Sequence, residues 1–458
     1  MAEPSSTINV TAIIDRRPLA ELQIRVVILC ALTIFLDGID TIVIGLAAPS
    51  LAAALGVNVS SFGPVFGIGQ AGVMLGVLTF GPLGDRFGRK RLVIGSAILF
   101  ATFTLLTAWA WSFEALLVFR FLTGLGLGGA APNAVALTSE FAPKRLRAAF
   151  VSLQWSALPL GGVAVGLMSS VLITKWGWQS LFYIGAIVPA LLVIVLIVAL
   201  PESVSFLLTR GLDREGVRRI VHKIAPEIPP SPDTRYVVDE EKLPGAPMKH
   251  LFTERRAAVT LFLWVPFFTS FMILIFVTSW IPTLLRAGGL SIAQAGFAIA
   301  LNSFGSFVGS ALIGRLMDRY GAFAVLIPAF VIAALTTGLL GFSTATFTTA
   351  ALVIALSGFF AGASQTGVIA LAAGIYPVAI RSTGVGWAMA IGRLGAVVGP
   401  LLGGMFLGWH WRVDQIIPVI AAPELIGALC IVVIGRLVVS GPAPTISPLA
   451  VDGRTGTR

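Results

Sequence analysis

Charge, cysteine and histidine are all scarce in this 458-residue chain. Asp, Glu, Lys and Arg make up 11% of it, against a hydrophobic fraction of 57% and a mean hydropathy of +0.94. Soluble domains carry roughly 25% charged residues, so the deficit excludes a soluble globular protein. The two cysteines, Cys30 and Cys430, both fall inside apolar runs, which excludes a disulfide framework. Three histidines, His222, His250 and His410, are scattered outside those runs and offer no metal cluster. No Gly-x-Ser-x-Gly or Walker-type glycine loop is evident, so the sequence predicts neither an enzyme nor a nucleotide-driven pump. Any work must draw on an ion gradient, without a cofactor. The segment Met1–Leu22 lacks an apolar stretch, so no cleavable signal peptide is expected and the first apolar run should start insertion itself.

What is abundant is long apolar sequence. Candidate spans lie near residues 26–48, 62–83, 92–112, 114–138, 148–174, 178–200, 257–281, 292–317, 322–342, 346–374, 384–408 and 415–438. Each approaches the roughly 20 residues a helix needs to cross a bilayer. The net charge of +10 is a topology signal rather than a nucleic-acid footprint. Arg16, Arg17, Arg25, Arg86, Arg89, Lys90, Arg91, Lys144, Arg145, Arg147, Arg315, Arg319 and Arg381 fall on one side, and only Lys175, Arg286 and Arg412 on the other. The positive-inside rule then predicts both termini in the cytoplasm. The expected units are a cytoplasmic segment 1–25, a six-helix bundle 26–200, a loop 201–256, a second bundle 257–438 and a cytoplasmic tail 439–458. The loop reads as a hinge-like linker with some amphipathic helix, and its stretch Pro226–Asp233 is rich in proline.

The two halves echo each other. Gly81-Pro82-Leu83-Gly84-Asp85-Arg86-Phe87-Gly88 and Gly314-Arg315-Leu316-Met317-Asp318-Arg319-Tyr320-Gly321 both read G-x-x-x-D-R-x-G, 233 positions apart (85 to 318). Pro143 and Arg147 are repeated as Pro377 and Arg381, 234 apart (143 to 377). Parallel six-helix repeats predict two pseudo-symmetric bundles rocking about a midplane site.

Two carboxylates interrupt the first span: Asp37 and Asp40, in Leu36-Asp37-Gly38-Ile39-Asp40. An acid at membrane depth costs about 2.5–3.5 kcal/mol or more, and is functional by default. At i and i+3 both lie on one helix face. Burial disfavours the charged form of a carboxyl and a second acid beside it adds to that, so the pair is the leading proton-coupling candidate. Arg120 in span four and Arg393 in span eleven also lie well inside the hydrocarbon and need anionic partners. A planar guanidinium matches a carboxylate in bidentate geometry. Arg120 is read as a partner of Asp37 or Asp40, and Arg393 as the anchor for a substrate carboxylate, with bracing against Glu140 or a backbone carbonyl as its alternative.

Glu140 is expected to form gate ion pairs. Asp85, Arg86, Arg89, Asp318, Arg319 and Arg381 read as latches on the inner loops, with Asp85 and Asp318 reaching a helix N-terminus across the interface between halves. Phe267, Phe271 and Trp387 are the candidate ring contacts, although aromatics at helical spacing are more often packing residues. Asn133, Gln154, Asn302, Ser303 and Gln365 are polar groups that either meet a ring hydroxyl or bridge helices.

The segment GPLGDRFGRKR at Gly81–Arg91 resembles the loop 2–3 signature of the major facilitator superfamily. Arg120–Gly129 resembles its span-four R-x-x-x-G-x-G motif. DGIDTIVIG in span one, RFLTGLGLGGAAPNAVALTSE in span four, LPESVSFL after span six and YPVAIRSTGVGWAMAIGRLGAVVGP across spans ten and eleven together resemble the aromatic acid:proton symporters. Ile39 stands where that family commonly has Phe. The resemblance implies a twelve-helix transporter of the bacterial inner membrane, acting as a monomer. It would import small hydroxybenzoate- or benzoate-like acids with protons, and the D-G-x-D pair would be its span-one motif. Gly395, Gly399, Pro400, Gly403 and Gly404 imitate a motif of drug:proton antiporters, but in span eleven rather than span five, which argues against efflux. Two alternatives stand beside this reading: a sugar or other organic-acid porter, and a ligand sensor that carries nothing. A sensor would be joined to a signalling domain, and the tail after Ser440 is short and polar.

Overall fold

The computed structural model describes residues 7–210, 214–227, 234–238, 248–253, 256–342, 346–376 and 378–439. Residues 228–233 of the proline-rich loop, Pro377 and the tail 440–458 lie outside them. Twelve helices among the described residues are long and apolar enough to cross a membrane. The first six are α2 (Glu21–Leu55), α3 (Phe62–Phe87), α4 (Arg89–Thr107), α5 (Phe113–Phe141), α6 (Lys144–Trp176) and α7 (Gln179–Ala199). The second six are α10 (Arg256–Ala287), α11 (Ile292–Tyr320), α12 (Ala322–Leu339), α13 (Phe347–Ile375), α14 (Val378–Gly408) and α15 (Val413–Val439). Short elements flank them: β1 (Thr7–Asn9), α1 (Val10–Arg16), α8 (Val204–Arg210), α9 (Arg214–Ile224) and β2 (Arg235–Val237).

The helices outrun the apolar runs because their ends are set by capping rather than hydropathy. At α2 the Gln23 side chain accepts the Ala20 N–H at 2.8 Å. The other end is Gly56 at φ +67°, whose N–H reaches the Ala52 and Ala53 carbonyls, a conformation that glycine adopts at no steric cost.

The internal repeat is visible helix by helix. Between membrane helices there is little hydrophobic drive, so close packing of small residues decides the fit. Gly72 abuts the Phe121 backbone and Gly305 abuts Ala355; Gly124 meets Gly69 and Gly358 meets Asn302; Gly161 meets Phe35 and Gly395 meets Phe268. Each pair recurs 233 or 234 positions on. The two G-x-x-x-D-R-x-G turns also share one geometry. Gly88 (φ 101°) and Gly321 (φ 90°) both end a helix in a backbone region open to glycine. Arg86 lies over Phe87 and Arg319 over Tyr320, each at 5.3 Å.

One part departs from an all-helical expectation. β1 and β2 pair in parallel, Thr7 opposite Arg235 through Asn9 opposite Val237. Three-residue strands carry no periodicity, so sequence pattern cannot show them. Val10 and Ile14 of α1 are buried in one cluster with Val217, Ile220, Val221 and Ile224 of α9. Those α9 residues follow i, i+3, i+4, i+7 spacing, the amphipathic stripe expected of the loop. Asp15 accepts the Lys144 backbone N–H at 2.8 Å, and Arg17 pairs with Glu227. The N-terminal segment and the described start of the central loop are therefore fastened to the first bundle, where a free hinge was expected.

We call the end of the molecule bearing α8 and α9 the loop face and the other the far face. Close approaches between the two bundles crowd the far-face half. A Cβ on Gly45 of α2 would sit 2.8 Å from the Thr278 and Ser279 carbonyls of α10. One on Gly63 of α3 would lie 3.1 Å from the Gly404 Cα and the Pro400 oxygen of α14, and one on Gly166 of α6 2.7 Å from the Ala300 nitrogen of α11. Phe66 meets Trp280 edge-on at 5.1 Å across the same seam. This is a state closed at the far face.

Candidate functional site

The two acids of α2 have separate surroundings, because a step of three residues turns a side chain about 60° around the helix. Asp40 points into the first bundle and is 1% exposed. Arg120 of α5, 4% exposed, meets it with both terminal nitrogens: Nη2 donates to Oδ2 at 2.8 Å and Nη1 to Oδ1 at 3.3 Å. Thr104 of α4 donates a third hydrogen bond to Oδ1 at 2.8 Å. The carboxylate is thus locked in a fork, the geometry that makes a buried ion pair tolerable.

Asp37 sits one turn nearer the loop face. Its polar neighbour is Thr41, which donates at 3.3 Å. Two charges act on it: Arg393 of the other bundle across the seam and, more weakly, Asp40 of its own helix. Arg393 makes no ion pair within 4 Å and no hydrogen bond among the described residues; its guanidinium lies 5.6 Å from the Phe271 ring centroid. A cation held against an aromatic face keeps its hydrogen-bonding edge available.

The register of α14 explains why Arg393 faces the seam. Leu401, Pro400 and Gly404 touch Gly67 and Gly63 of α3, so that face of α14 looks at the first bundle. Seven residues are about two turns, so Leu394 and Trp387 follow Leu401 down the same face, and Arg393 follows Pro400. Near Gly67 that stripe is packed; toward the loop face it opens, leaving Trp387 40% exposed.

The structure thus brings Asp37, Arg393, Phe271 and Trp387 to one seam, and Asp40 with Arg120 to a separate pocket inside the first bundle. Phe267 is fully buried in the core of the second bundle, where it packs among apolar side chains. Phe271, 5% exposed, acts through Arg393. Glu140 accepts the Ser205 N–H of α8 at 2.6 Å and pairs with Arg89 at 3.3 Å, so it ties α5, α4 and α8 together. Among the described residues its ion-pair partner is Arg89, and it forms no ion pair with Arg393. Asp85 pairs with Arg89 of its own turn at 3.2 Å and its side chain is 70% exposed. It does not reach a helix N-terminus across the interface, because this state holds the halves together at the opposite end. Asp318 borders a cleft of about 530 Å³ at the loop face, and Arg319 and Arg381 are exposed there. Among the polar candidates, Asn133 bonds the Phe80 and Gly129 carbonyls and Asn302 the Ile354 carbonyl; both bridge helices.

Sequence reasoning missed Thr104, Thr41 and Gln70, since lone hydroxyls and amides in apolar runs give no signal of their partners. It also missed Glu424 of α15, fully buried with neither oxygen hydrogen-bonded. The rule that singled out Asp37, an acid inside an apolar run, would have found it.

Comparison with known proteins agrees with this architecture. The family model for the Major Facilitator Superfamily matches residues 30–293 and 285–450. The 4-hydroxybenzoate transporter PcaK of Pseudomonas putida is 36% identical over 94% of this chain and 96% of its own length. The benzoate transport protein of Acinetobacter baylyi is 32% identical over 99% and 98%. Among solved structures, a D-xylose-proton symporter superposes with a TM-score of 0.69 at 20% identity, covering 89% of this chain and 97% of that one, a likeness of fold. With twelve apolar helices in two repeated bundles, the chain is a multi-pass membrane protein and belongs to the major facilitator superfamily, in the branch that holds these aromatic-acid transporters.

Proposed function

We propose that this protein imports small aromatic carboxylates, of the hydroxybenzoate and benzoate type, together with protons. The observation that carries the reading is Arg393: a membrane-buried guanidinium at the seam between bundles, braced by Phe271 and without an ion-pair partner within 4 Å among the described residues. A carboxylate bound there gains a charge-assisted bidentate pair, and Trp387 offers an aromatic face on the same stripe. Asp37 across the seam carries charge of the same sign as the substrate. Protonating Asp37 removes that repulsion, so proton and anion bind best together, which is the thermodynamic content of symport. Asp40 and Arg120 hold the second ionisable pair, and Arg86, Arg89, Asp85, Glu140, Asp318, Arg319 and Arg381 the loop-face contacts that change as the halves rock.

The loop face is the cytoplasmic one by the charge bias, with both termini inside and the far face toward the exterior. The proton gradient across a bacterial inner membrane supplies the energy, and one chain with its own two bundles suffices. The names of the relatives support the substrate class. Uptake of labelled 4-hydroxybenzoate, protocatechuate, benzoate and gentisate into cells tests it. Accumulation of at least one of these, collapsing with a protonophore, is the expected result; accumulation that survives the protonophore overturns symport, and uptake of none overturns the substrate class.

A further inference from the structure

Asp40 and Arg120 line a small cavity that the ion pair itself does not fill and that runs from Phe66 toward the far face to Val73 and Leu127 deeper in the bundle. Thr41 and Ile44 of α2, Phe66 and Gln70 of α3, and Ser279 of α10 enclose it. Its volume is about 20 Å³, enough for one water and no more, since one water needs roughly 10–15 Å³ on this measure. The lining is polar where it matters. Gln70 Oε1 is sealed from solvent and accepts no hydrogen bond among the described residues. A buried acceptor without a donor is left with its desolvation cost uncompensated, and a water bridging it to the ion pair removes that cost. The Asp40–Arg120 pair leaves the lining without net charge, which suits a neutral water as the occupant.

The cavity also lies on the path a proton must take. α3 begins at the far face, with Phe66 in its second turn and Gln70 one turn deeper. Ser279 comes from the second bundle, next to the Gly45 contact that closes the seam. The same movement that opens the far face therefore unroofs the cavity.

We propose that Gln70 positions a single water that relays protons between the far face and Asp40. The inference rests on the symport reading and adds to it a route and a positioning residue. The ionisable groups around Asp40 are few. α5 gives Arg120, α2 itself gives Asp37, and α14 gives Arg393 across the seam. The ionisable residues of α3, α4, α6 and α10 sit at their ends, at Asp85 and Arg86, at Arg89, Lys90 and Arg91, at Lys144, Arg145, Arg147 and Lys175, and at Arg256 and Arg286. α7 gives only Tyr183, four residues from its far-face end.

Purified protein in vesicles separates this relay from mere packing. Gln70→Leu is expected to keep exchange of labelled for unlabelled 4-hydroxybenzoate at equal pH within about twofold of wild type. Uptake driven by an acid exterior should fall by about tenfold or more, because a positioned proton relay contributes at least that much. Gln70→Met keeps the side-chain length and reads the same way should the leucine variant fail to insert. Gln70→Asn, which retains an amide one methylene back, should recover part of the driven rate. Equal loss of exchange and driven uptake in the leucine and methionine variants, or no loss in either assay, overturns the relay. Wild-type protein that exchanges substrate but shows no proton-driven uptake overturns symport itself, and the relay with it.

Discussion

Asp40 and Arg120 share two hydrogen bonds inside the first bundle, at 1% and 4% exposure, so each is the other's main compensation for leaving water. Removing one partner of such a pair typically costs about 3–5 kcal/mol. Asp40→Asn should therefore lower the stability of the purified protein by several kcal/mol, read as earlier thermal unfolding in detergent. Adding Arg120→Leu to it should restore part of the loss. Equal destabilisation by the single and double variants would show that the pair is not the cause. Arg393 belongs to another class, because it rests on Phe271 and faces the seam. Arg393→Lys replaces a fork by a point charge, and hydrogen bonds to charged groups are worth about 1.5–3 kcal/mol. KM for a benzoate-type substrate should rise about tenfold or more, with thermal stability little changed. A stability loss at unchanged KM would make Arg393 structural.

The helices pack through glycines that the sequence displays and whose partners it does not. The far-face closure depends on Gly63, whose Cβ would crowd Gly404 and Pro400 at 3.1 Å. Gly63→Val overpacks that contact at a cost of typically 1–3 kcal/mol, felt only when the far face is closed. The population should move toward the far-face-open state by about tenfold. Maleimide labelling of a cysteine placed at Phe66 should then speed up, and the native Cys30 and Cys430 are buried and do not interfere. Unchanged labelling would mean that the seam is closed by other contacts. The contrast bears on what could be read in advance. Helix positions, the two bundles and the D-R turns were legible, because hydropathy and a 233-residue echo are local patterns. The segregation of Asp37 from Asp40 was not, because sharing a helix face hid the 60° that sends one acid to Arg120 and the other to Arg393. Phe267 and Phe271, one turn apart, divided in the same way between core and seam. The strap of α1, β1 and β2 was illegible, its strands being too short for any period.

At the scale of the whole molecule, the repeat supplies the scaffold and the charges break it. Gly161 and Gly395 make equivalent contacts, as do Gly124 and Gly358. Yet the position 234 beyond Arg120 is Ile354, and the position 234 before Arg393 is Pro159. Asp40 maps onto Ile273 in the same way, 233 positions on. Each half thus keeps one guanidinium deep within a span, Arg120 or Arg393, and the two acids of span one lie in the first half. On the proposed function such a division suits a rocker, with Arg393 as substrate anchor on one half and the acids of span one on the other. The central claim, that anion and proton cross together, is tested most directly by proton flux in vesicles holding the purified protein and an internal pH dye. Adding 4-hydroxybenzoate or benzoate outside, at equal pH on both sides, should acidify the interior at a rate that tracks uptake of the labelled acid, and Asp37→Asn should abolish that acidification. Uptake of the labelled acid with no accompanying proton entry, or proton entry undiminished in Asp37→Asn, would contradict it.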